Sequence, residues 1–417
     1  MVWIGILIVI ITFIAIIKGY ETRLVLALGG ITMALAAGKF SVASIAFDKT
    51  LTNPGLVIIT TTAMGFAYVL KATECDIHMI RFATSHIGKF RPLLIHLTIL
   101  ATFIANSAMT SSAGTAAAVG IILIPLLINS GIHPAMAGAV VLSGTWGNTF
   151  ALGSIHPPII AKLSDSDVIT VLIKQAPAAF TCLAITMVLM SAIAIFLKEN
   201  KGYVAETDLA VNNDFKVSYF RAAVPFVPVI LLMLSSKQVA ILPPIRTAEA
   251  MIAGCILAYL ASRVSPGTLS KQFFDGMGYA LSNIVGLMIS ASIFSAGLGA
   301  IGITSALTEL MKESVNIAKI GATFGPFIIA VISGSGDAAT LAFNTSVTPH
   351  AAEFGFDPSK MGSLSFLTGS FGRTMSPVAG VTIICASLAC NSNPIDLIKR
   401  TAGVMILVAL VAMFILL

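Results

Sequence analysis

The segment "GSFGRTMSPVAG" (369–380) interrupts a long apolar stretch with glycines, a proline and one charged residue. Arg373 is the only Asp, Glu, Lys or Arg between Lys360 and Asp396. Gly and Pro weaken or end a helix, and a charge inside a membrane segment is costly unless it faces a cavity and serves a function. The segment therefore predicts a membrane helix that is broken near its middle, beside an internal polar site.

The composition around this segment indicates a membrane protein from end to end. Hydrophobic residues make up 57% of the 417 positions and charged residues 10%, whereas soluble domains carry about 25% charged residues. We predict an all-α polytopic membrane protein, and the first apolar segment is interpreted as a retained helix rather than a signal peptide. The five cysteines are interpreted as small apolar side chains. The net charge is +6, and the basic residues lie in short loops. We therefore expect them to set the orientation of the chain in the membrane rather than to bind nucleic acid.

The chain also repeats itself weakly. The stretch "GIHPAMAGAVVLSGTWGNT" (131–149) resembles "GFDPSKMGSLSFLTGSFGRT" (355–374), and matching residues are separated by 224 or 225 positions. This near-constant offset predicts an internal duplication. We expect a first repeat over 1–197, a cytoplasmic linker over 198–221 and a second repeat over 222–417.

Each repeat is predicted to contain about five membrane crossings, since a crossing needs about 20 apolar residues. The crossings are expected near 2–18, 24–40, 54–71, 133–164, 167–197, 222–237, 245–262, 279–300, 357–389 and 394–416. Two further apolar segments, 92–130 and 319–352, have polar centres. They are predicted to be re-entrant helical hairpins, because irregular backbone is tolerated where it lines a cavity. The alternative is two ordinary crossings in each segment.

The distribution of Lys and Arg predicts the orientation of the chain. More of them fall in cytoplasmic loops when both termini are placed on the periplasmic side, as the positive-inside rule requires. An odd number of crossings in each repeat then makes the two repeats face opposite ways. Inverted repeats with broken helices are a sequence signature of secondary transporters.

The first hairpin tip, "ANSAMTSSAGTAAAVG" (105–120), is rich in hydroxyl side chains. Ser111, Ser112 and Thr115 are predicted to bind substrate, because hydroxyls and free backbone groups at a helix break can bind carboxylates. The alternative is close packing of small residues between helices.

The second tip, "SGSGDAATLAF" (333–343), contains Asp337, the only Asp, Glu, Lys or Arg between Lys319 and Glu353. An isolated membrane carboxylate usually marks an ion or proton site. Asp337 is therefore predicted to bind a coupling ion or proton, together with Ser335 and Asn148. The alternative is that Asp337 caps the returning helix. The predicted substrate-binding residues of this tip are Ser333, Ser335, Gly336 and Thr340.

The two broken crossings supply the remaining candidates. The predicted substrate-binding residues are Asn148, Thr149, Ser154 and His156 in "GTWGNTFALGSIHPP" (144–158) and Gly372, Arg373, Thr374 and Ser376 in "GSFGRTMSPVAG". Asn148 and Arg373 occupy equivalent repeat positions, so the charge is specific to one half. Arg373 is predicted to bind a carboxylate through two hydrogen bonds, with an ion pair to Asp337 as the alternative. His156 is either a donor to substrate or a structural histidine.

At these residues the sequence resembles the DcuC family of bacterial anaerobic C4-dicarboxylate carriers. The resemblance is carried by "SGSGDAATLAF" (333–343), "GFDP" (355–358), "GRTMSPVAGV" (372–381) and "PIDLIKRT" (394–401), and more faintly by "SSAGTAAAVG" (111–120). It implies transport of succinate, fumarate and related dianions across the bacterial inner membrane. It also implies an elevator mechanism and a homodimer. Position 337 is Asp, where Asn is common in the family.

The sequence therefore predicts a secondary carrier of small carboxylates, driven by an ion gradient or by exchange. No cofactor is expected, with Na+ or H+ as the coupling ion and no metal besides Na+. The expected partners are a small dicarboxylate, the lipid bilayer and a second copy of the chain, without nucleic acid. The alternative keeps the fold but transports another organic anion, an amino acid or a peptide. An enzyme is disfavoured because no nucleophile or metal constellation is present, and a channel is the remaining class.

Overall fold

The computed structural model describes residues 1–18, 20–84, 93–204, 216–235, 241–312, 315–390 and 392–417. Within these ranges every regular element is a helix and no strand occurs. The predicted all-α class is therefore confirmed. Part of the predicted linker, 205–215, lies outside the described residues, as does Arg91 beside the first hairpin.

Ten α-helices precede the linker in the part of the chain that the structure describes. They are α1 (Val2–Ile17), α2 (Thr22–Ala36), α3 (Ser41–Leu51), α4 (Pro54–Ala72), α5 (Cys75–Thr84), α6 (Leu94–Ala108), α7 (Ser112–Asn129), α8 (Pro134–Leu142), α9 (His156–Leu163) and α10 (Val168–Phe196).

Eleven α-helices follow within the described residues. They are α11 (Tyr219–Ala223), α12 (Val227–Leu234), α13 (Thr247–Ala261), α14 (Pro266–Tyr279), α15 (Gly286–Ala300), α16 (Ile303–Lys312), α17 (Val315–Ser333), α18 (Gly336–Ser346), α19 (Pro358–Thr374), α20 (Gly380–Leu388) and α21 (Pro394–Leu416). A π-helical turn, Ala280–Val285, joins α14 to α15.

The two predicted hairpin segments each form two helices that meet at a short break. Helices α6 and α7 meet around Met109–Ser111, and α17 and α18 meet around Gly334 and Ser335. The Ser111 hydroxyl accepts a hydrogen bond from the Gly114 backbone N–H, and the Ser335 hydroxyl accepts one from Ala338. Both serines are therefore N-caps, and they are separated by the same 224 positions as the sequence repeat.

The lengths of the returning helices differ. Helix α7 is 18 residues long and is one of four helices in the described chain that are long and apolar enough to cross a membrane. The other three candidates are Val168–Phe196, Pro266–Ala300 and Pro394–Leu416. Helix α18 has 11 residues, well short of the roughly 20 that a crossing needs. Length thus favours a re-entrant hairpin more strongly in the second half.

The two crossings with predicted breaks are indeed interrupted, but the breaks are placed differently. The first is wide, because α8 ends at Leu142 and α9 begins at His156, with a 3-10 turn at Gly147–Phe150 between them. In the second, α19 continues through Gly369 and Gly372 to Thr374, and α20 starts at Gly380. The prediction that Gly369 and Gly372 form the break is therefore wrong.

These glycines instead allow close approach of neighbouring backbone. A Cβ atom at Gly372 would lie 2.2 Å from the Phe327 carbonyl oxygen on α17. The equivalent Gly147 would place a Cβ atom 2.1 Å from the Phe103 carbonyl oxygen on α6. Any larger residue would separate the broken helix from its hairpin in either half.

The helices pack as two bodies. We call α6–α10 and α17–α21 the hairpin body, and α1–α4 with α11–α15 the frame body. The largest buried apolar cluster is formed mainly by the hairpin body. In the frame body, α2 and α3 pack on α15, and α4 packs on α13 and α14. Smaller clusters join the two bodies, for example around Phe66 and Phe366.

Candidate functional site

A polar cavity of about 680 Å³ lies between the hairpin body and the frame body. The hairpin body contributes Ser111, Asn148, Ser154 and Asp337 to its lining. The frame body contributes Tyr68, Lys71, Tyr279 and Asn283, and α5 adds Asp76. A cavity with convergent polar groups is the default candidate for a binding site.

Three helix N-termini meet at this cavity. Ser111 caps α7, Asp337 is the second residue of α18, and Ser154 and Ile155 directly precede α9. The N-terminal end of a helix carries unpaired N–H groups and a partial positive charge. The cavity is therefore suited to an anionic ligand.

The Asp337 side chain is hydrogen-bonded to a buried histidine. The Asp337 Oδ1 atom lies 3.1 Å from His156 Nε2. The Asp337 side chain is about half exposed to the cavity (49%), whereas the His156 side chain is fully buried (0%) and its ring lies 4.3 Å from that of Phe366. His156 Nδ1 has no hydrogen-bond partner among the described residues. Ser335 caps α18, so the alternative that Asp337 is the cap is wrong.

Arg373 lies on the last turn of α19, behind the cavity wall. Its guanidinium Nη2 donates a hydrogen bond to the Thr145 backbone carbonyl in the first break, with a donor–acceptor distance of 2.8 Å. The side chain is buried, and Nε has no partner among the described residues. Arg373 and Asp337 form no direct salt bridge among the described residues, but their opposite charges interact, so the alternative of an Arg373–Asp337 pair stays a prediction. A cation in the last turn is also favoured by the helix dipole.

The first tip is organised by Asn106, a residue that the sequence did not single out. Its amide group donates to the Thr115 hydroxyl (3.0 Å), and its carbonyl oxygen accepts from the Asn148 backbone N–H (2.9 Å) and from the Ser112 hydroxyl (3.4 Å). Asn106 is fully buried. An Asn within an apolar helix just before a tip was the signal that could have identified it.

The structure brings only some of the predicted substrate-binding residues to the cavity. Ser111, Asn148 and Ser154 line it, as does Asp337. The hydroxyl groups of Ser333, Thr340, Thr149 and Thr374 donate to backbone carbonyls of Ile329, Ser365, Trp146 and Ser370, and therefore serve packing in this conformation. Gly336 and Gly372 allow close contact between helices. Ser376 is buried, and its hydroxyl has no partner among the described residues.

The frame side of the cavity was missed entirely by sequence reasoning. Tyr68 and Tyr279 face each other with ring centroids 5.9 Å apart. Asn283 lies in the π-helical turn, where Arg23 donates to the neighbouring Ser282 carbonyl (2.7 Å). π-Helical turns often occur at functional sites, but a single sequence carries no signal for them.

Asp76 lies on α5, just beyond the predicted crossing 54–71. It lines the cavity close to the end of α4. Burial raises the pKa of its carboxyl group, while the Ile77 backbone N–H and the nearby Lys71 oppose this. Asp76 and Lys71 both line this end of the cavity.

Apolar helices, two helical hairpins and two broken helices around an internal polar cavity define the class of membrane transporters. The chain is an integral membrane protein of this class and not an enzyme. The family model described as "C4-dicarboxylate anaerobic carrier" (DcuC) matches residues 2–417. The chain therefore belongs to the DcuC family.

Curated relatives agree with this assignment. The chain is 25% identical to the anaerobic C4-dicarboxylate transporter DcuC of Escherichia coli K12, over 98% of this chain and 94% of that one. It is 37% identical to a putative uncharacterized transporter of Haemophilus influenzae, over 62% of this chain and 96% of that one.

Two solved transporters share the fold. The Neisseria gonorrhoeae transporter MtrF, from a class of antimetabolite efflux pumps, superposes with a TM-score of 0.59 and 14% identity, covering 92% of this chain and 85% of that one. The Alcanivorax borkumensis transporter YdaH superposes with a TM-score of 0.57 and 14% identity, covering 86% of both chains.

Proposed function

We propose that this protein is a secondary active transporter of C4-dicarboxylates such as succinate, fumarate and malate. The observation that carries the proposal is the polar cavity, where three helix N-termini converge in a chain of the DcuC family. A dianion placed there would interact favourably with the partial positive charges of α7, α9 and α18. Ser111, Asn148 and Ser154 would provide neutral hydrogen-bonding groups.

Arg373 would contribute through its field rather than by gripping the ligand. Its guanidinium is buried and already bonded to the Thr145 carbonyl in this conformation. A buried positive charge near a site of low dielectric still attracts an anion over several ångströms. The positive charge of Arg373 is present in the second half only, because the equivalent position in the first half is the neutral Asn148.

We assign the coupling site to the His156–Asp337 pair, with H+ as the coupling ion. With neutral His156, the charges of Asp337 and Arg373 cancel. With one proton added to the pair, the cluster carries a net positive charge and binds a dianion more strongly. Proton binding and anion binding then reinforce each other, as linkage requires. Na+, bound by Asp337 with the Ser335 and Asn148 oxygens, is the alternative coupling ion.

The movement we propose is an elevator-type displacement of the hairpin body against the frame body. Cavities between these bodies include the polar cavity and an outer cavity of about 310 Å³ beside Lys162. Within the hairpin body, Lys174 on α10 pairs with Asp357 at the start of α19 (2.7 Å), and Arg400 on α21 pairs with Glu199 after α10. These pairs and the shared core favour movement of the hairpin body as one unit.

The equivalent contacts of the two halves support the repeat that the proposed inverted arrangement requires. The N-caps Ser111 and Ser335, and the close approaches of Gly147 and Gly372 to their hairpins, recur at offsets of 224 and 225 residues. In the predicted orientation, with both termini in the periplasm, the polar cavity opens to the cytoplasm at Lys71. We propose an inner-membrane homodimer, on the strength of the family resemblance.

Binding and transport can be tested separately. Succinate, fumarate and malate should each raise the melting temperature of the purified protein, because a ligand stabilises the state that binds it. Proteoliposomes should exchange labelled succinate without Na+, and the exchange should depend on pH. Absence of both binding and exchange by folded protein would refute the proposal, and exchange that requires Na+ would refute the proton coupling alone.

A second candidate substrate is an amino acid or another organic anion. Asp337 favours it, because a half-exposed carboxylate in the cavity could pair with a substrate ammonium group. Stabilisation by aspartate or glutamate but not by succinate in the same melting experiment would select this candidate.

A further inference from the structure

A third cavity, of about 370 Å³, lies beside the polar cavity on the same interface. We call it the apolar cavity. Its hairpin-body wall is formed by the tip of α6, the first break and α10, and its frame-body wall by α4, α12 and α13. The two cavities share several lining residues, among them Thr110 at the first hairpin tip and Gly153 in the first break.

The lining of the apolar cavity is almost entirely hydrocarbon. Phe103, Phe150 and Phe180 form one aromatic wall, with the rings of Phe150 and Phe180 stacked at 5.5 Å. The two hydroxyl groups, from Ser107 and Thr110, are close to the hairpin tip. The Ser107 hydroxyl already donates to the Ile104 carbonyl. Water needs two to four polar partners to occupy a cavity, so this space is unsuited to water.

The mouth of the cavity faces the membrane. Phe180 and Ile173 on α10, and Met233 on α12, are lining residues with exposed side chains. Deeper lining residues such as Phe103 and Met251 are buried. Helix α10 is one of the helices long and apolar enough to cross a bilayer. Hydrocarbon chains of the bilayer are therefore the material next to the mouth.

We propose that the apolar cavity binds the acyl chain of a membrane phospholipid, which enters laterally between α10 and α12. Filling an apolar space of this size with hydrocarbon restores the dispersion contacts that an empty space lacks. Each methylene group that is buried adds to the affinity. The headgroup stays at the membrane surface, and the end of the chain reaches Thr110 at the first hairpin tip and Gly153 in the first break.

The bound chain would touch both bodies at once. It would have to leave or slide when the hairpin body moves, so it would influence the rate of conformational exchange rather than the affinity for substrate. This consequence rests on the proposed function, whereas lipid binding itself does not. A protein that binds the chain but transports nothing would refute only the proposed function.

The position of the two tryptophans allows a direct test. Trp146 is fully buried, and its ring lies 4.8 Å from the ring of Phe103 on the cavity wall. Trp3 is exposed, and Trp3→Phe leaves Trp146 as the single tryptophan. Bromine atoms quench tryptophan emission at close range. We expect Trp3→Phe protein in bilayers of brominated phosphatidylcholine to lose Trp146 emission relative to unbrominated bilayers.

Blocking the cavity should abolish that loss. Ala176 on α10 lines the cavity, and Ala176→Phe in the Trp3→Phe background would occupy it. Ala184, exposed on the same helix, does not line it, so Ala184→Phe is the matched control and should retain the quenching. Equal quenching in all three proteins, or none in Trp3→Phe alone, would overturn the proposal.

A second pair of variants covers a failure of Ala176→Phe to fold. Val229 lines the opposite wall on α12, while its exposed neighbour Ile230 does not. Val229→Phe should remove the quenching and Ile230→Phe should keep it. Quenching that survives in folded Val229→Phe protein would overturn the proposal in the same way.

Discussion

The two hairpin tips share the same arrangement of two helices and a serine N-cap, but the polar side chains of the first are neutral and the second contains a carboxylate. In the first tip, buried Asn106 connects Ser112, Thr115 and the Asn148 backbone in a neutral network. In the second tip, Asp337 faces the cavity and pairs with His156 of the first half. The two tips thus share their capping geometry, whereas only the second carries an ionisable side chain into the cavity.

The difference shows how one site can be both stable and responsive. A neutral network with partners on several sides holds its groups in place. The Asp337 carboxylate and the His156 ring can take up or release a proton. His156 Nδ1 and Arg373 Nε have no hydrogen-bond partner among the described residues, so both side chains can bind a new partner when a ligand arrives. We infer that the first tip mainly maintains the site and the second tip mainly senses the ligand.

The largest effect is expected from removing the charge of Arg373. Arg373→Ala should weaken succinate binding on the order of 100-fold, because a buried charge contributes a few kcal/mol to the attraction of a nearby dianion. The measurement is the succinate-dependent rise in melting temperature. Lys360→Ala, an exposed residue on the same helix, should keep the full rise, and an unchanged rise in Arg373→Ala would show that the charge plays no part.

The next largest effect concerns the neutral tip. Asn106→Ala should lower the free energy of unfolding by about 1–3 kcal/mol, because buried groups in the first tip lose their partner. Thermal unfolding of the ligand-free protein is the measurement. Ser107→Ala, which removes one hydroxyl bonded only to the Ile104 carbonyl among the described residues, should change stability less. Equal losses would contradict the structural role of Asn106.

Replacement of the titratable pair should change the pH dependence more than the maximal rate. Asp337→Asn and His156→Gln each remove a group that can share the coupling proton, so succinate exchange should lose its dependence on pH. Ser333→Ala is the control at the same tip, since its hydroxyl donates to its own helix. A wild-type pH profile in both pair variants would rule out proton binding at this pair.

The smallest effects are expected at the ion pairs that join α10, α19 and α21. Lys174→Met should cost at most about 1 kcal/mol of unfolding free energy, because its pair with Asp357 is partly exposed and such pairs are weak. Arg400→Met should cost somewhat more, because its pair with Glu199 is less exposed, although His133 Nδ1 remains 3.9 Å from a Glu199 carboxylate oxygen. Chemical or thermal unfolding measures both, and the reverse order would contradict this assignment.

The sequence was sufficient for the all-helical class and for the segments in which helices are interrupted. Periodic glycines, prolines and isolated charges such as Arg373 carry that information locally. It could not assign partners, because His156 and Asp337 are 181 residues apart and nothing in the sequence links them. Asn106 and the π-helical Asn283 became visible only through packing. The placement of Gly369 and Gly372 in a break was wrong because close helix packing also requires glycine.

The most direct test of the central claim is counterflow of labelled succinate into proteoliposomes loaded with unlabelled succinate, with wild-type protein and Arg373→Ala compared at equal reconstituted amounts. The account predicts saturable accumulation by the wild type and accumulation near the protein-free background for Arg373→Ala. Equal accumulation by both proteins, or none by folded wild type, would contradict it.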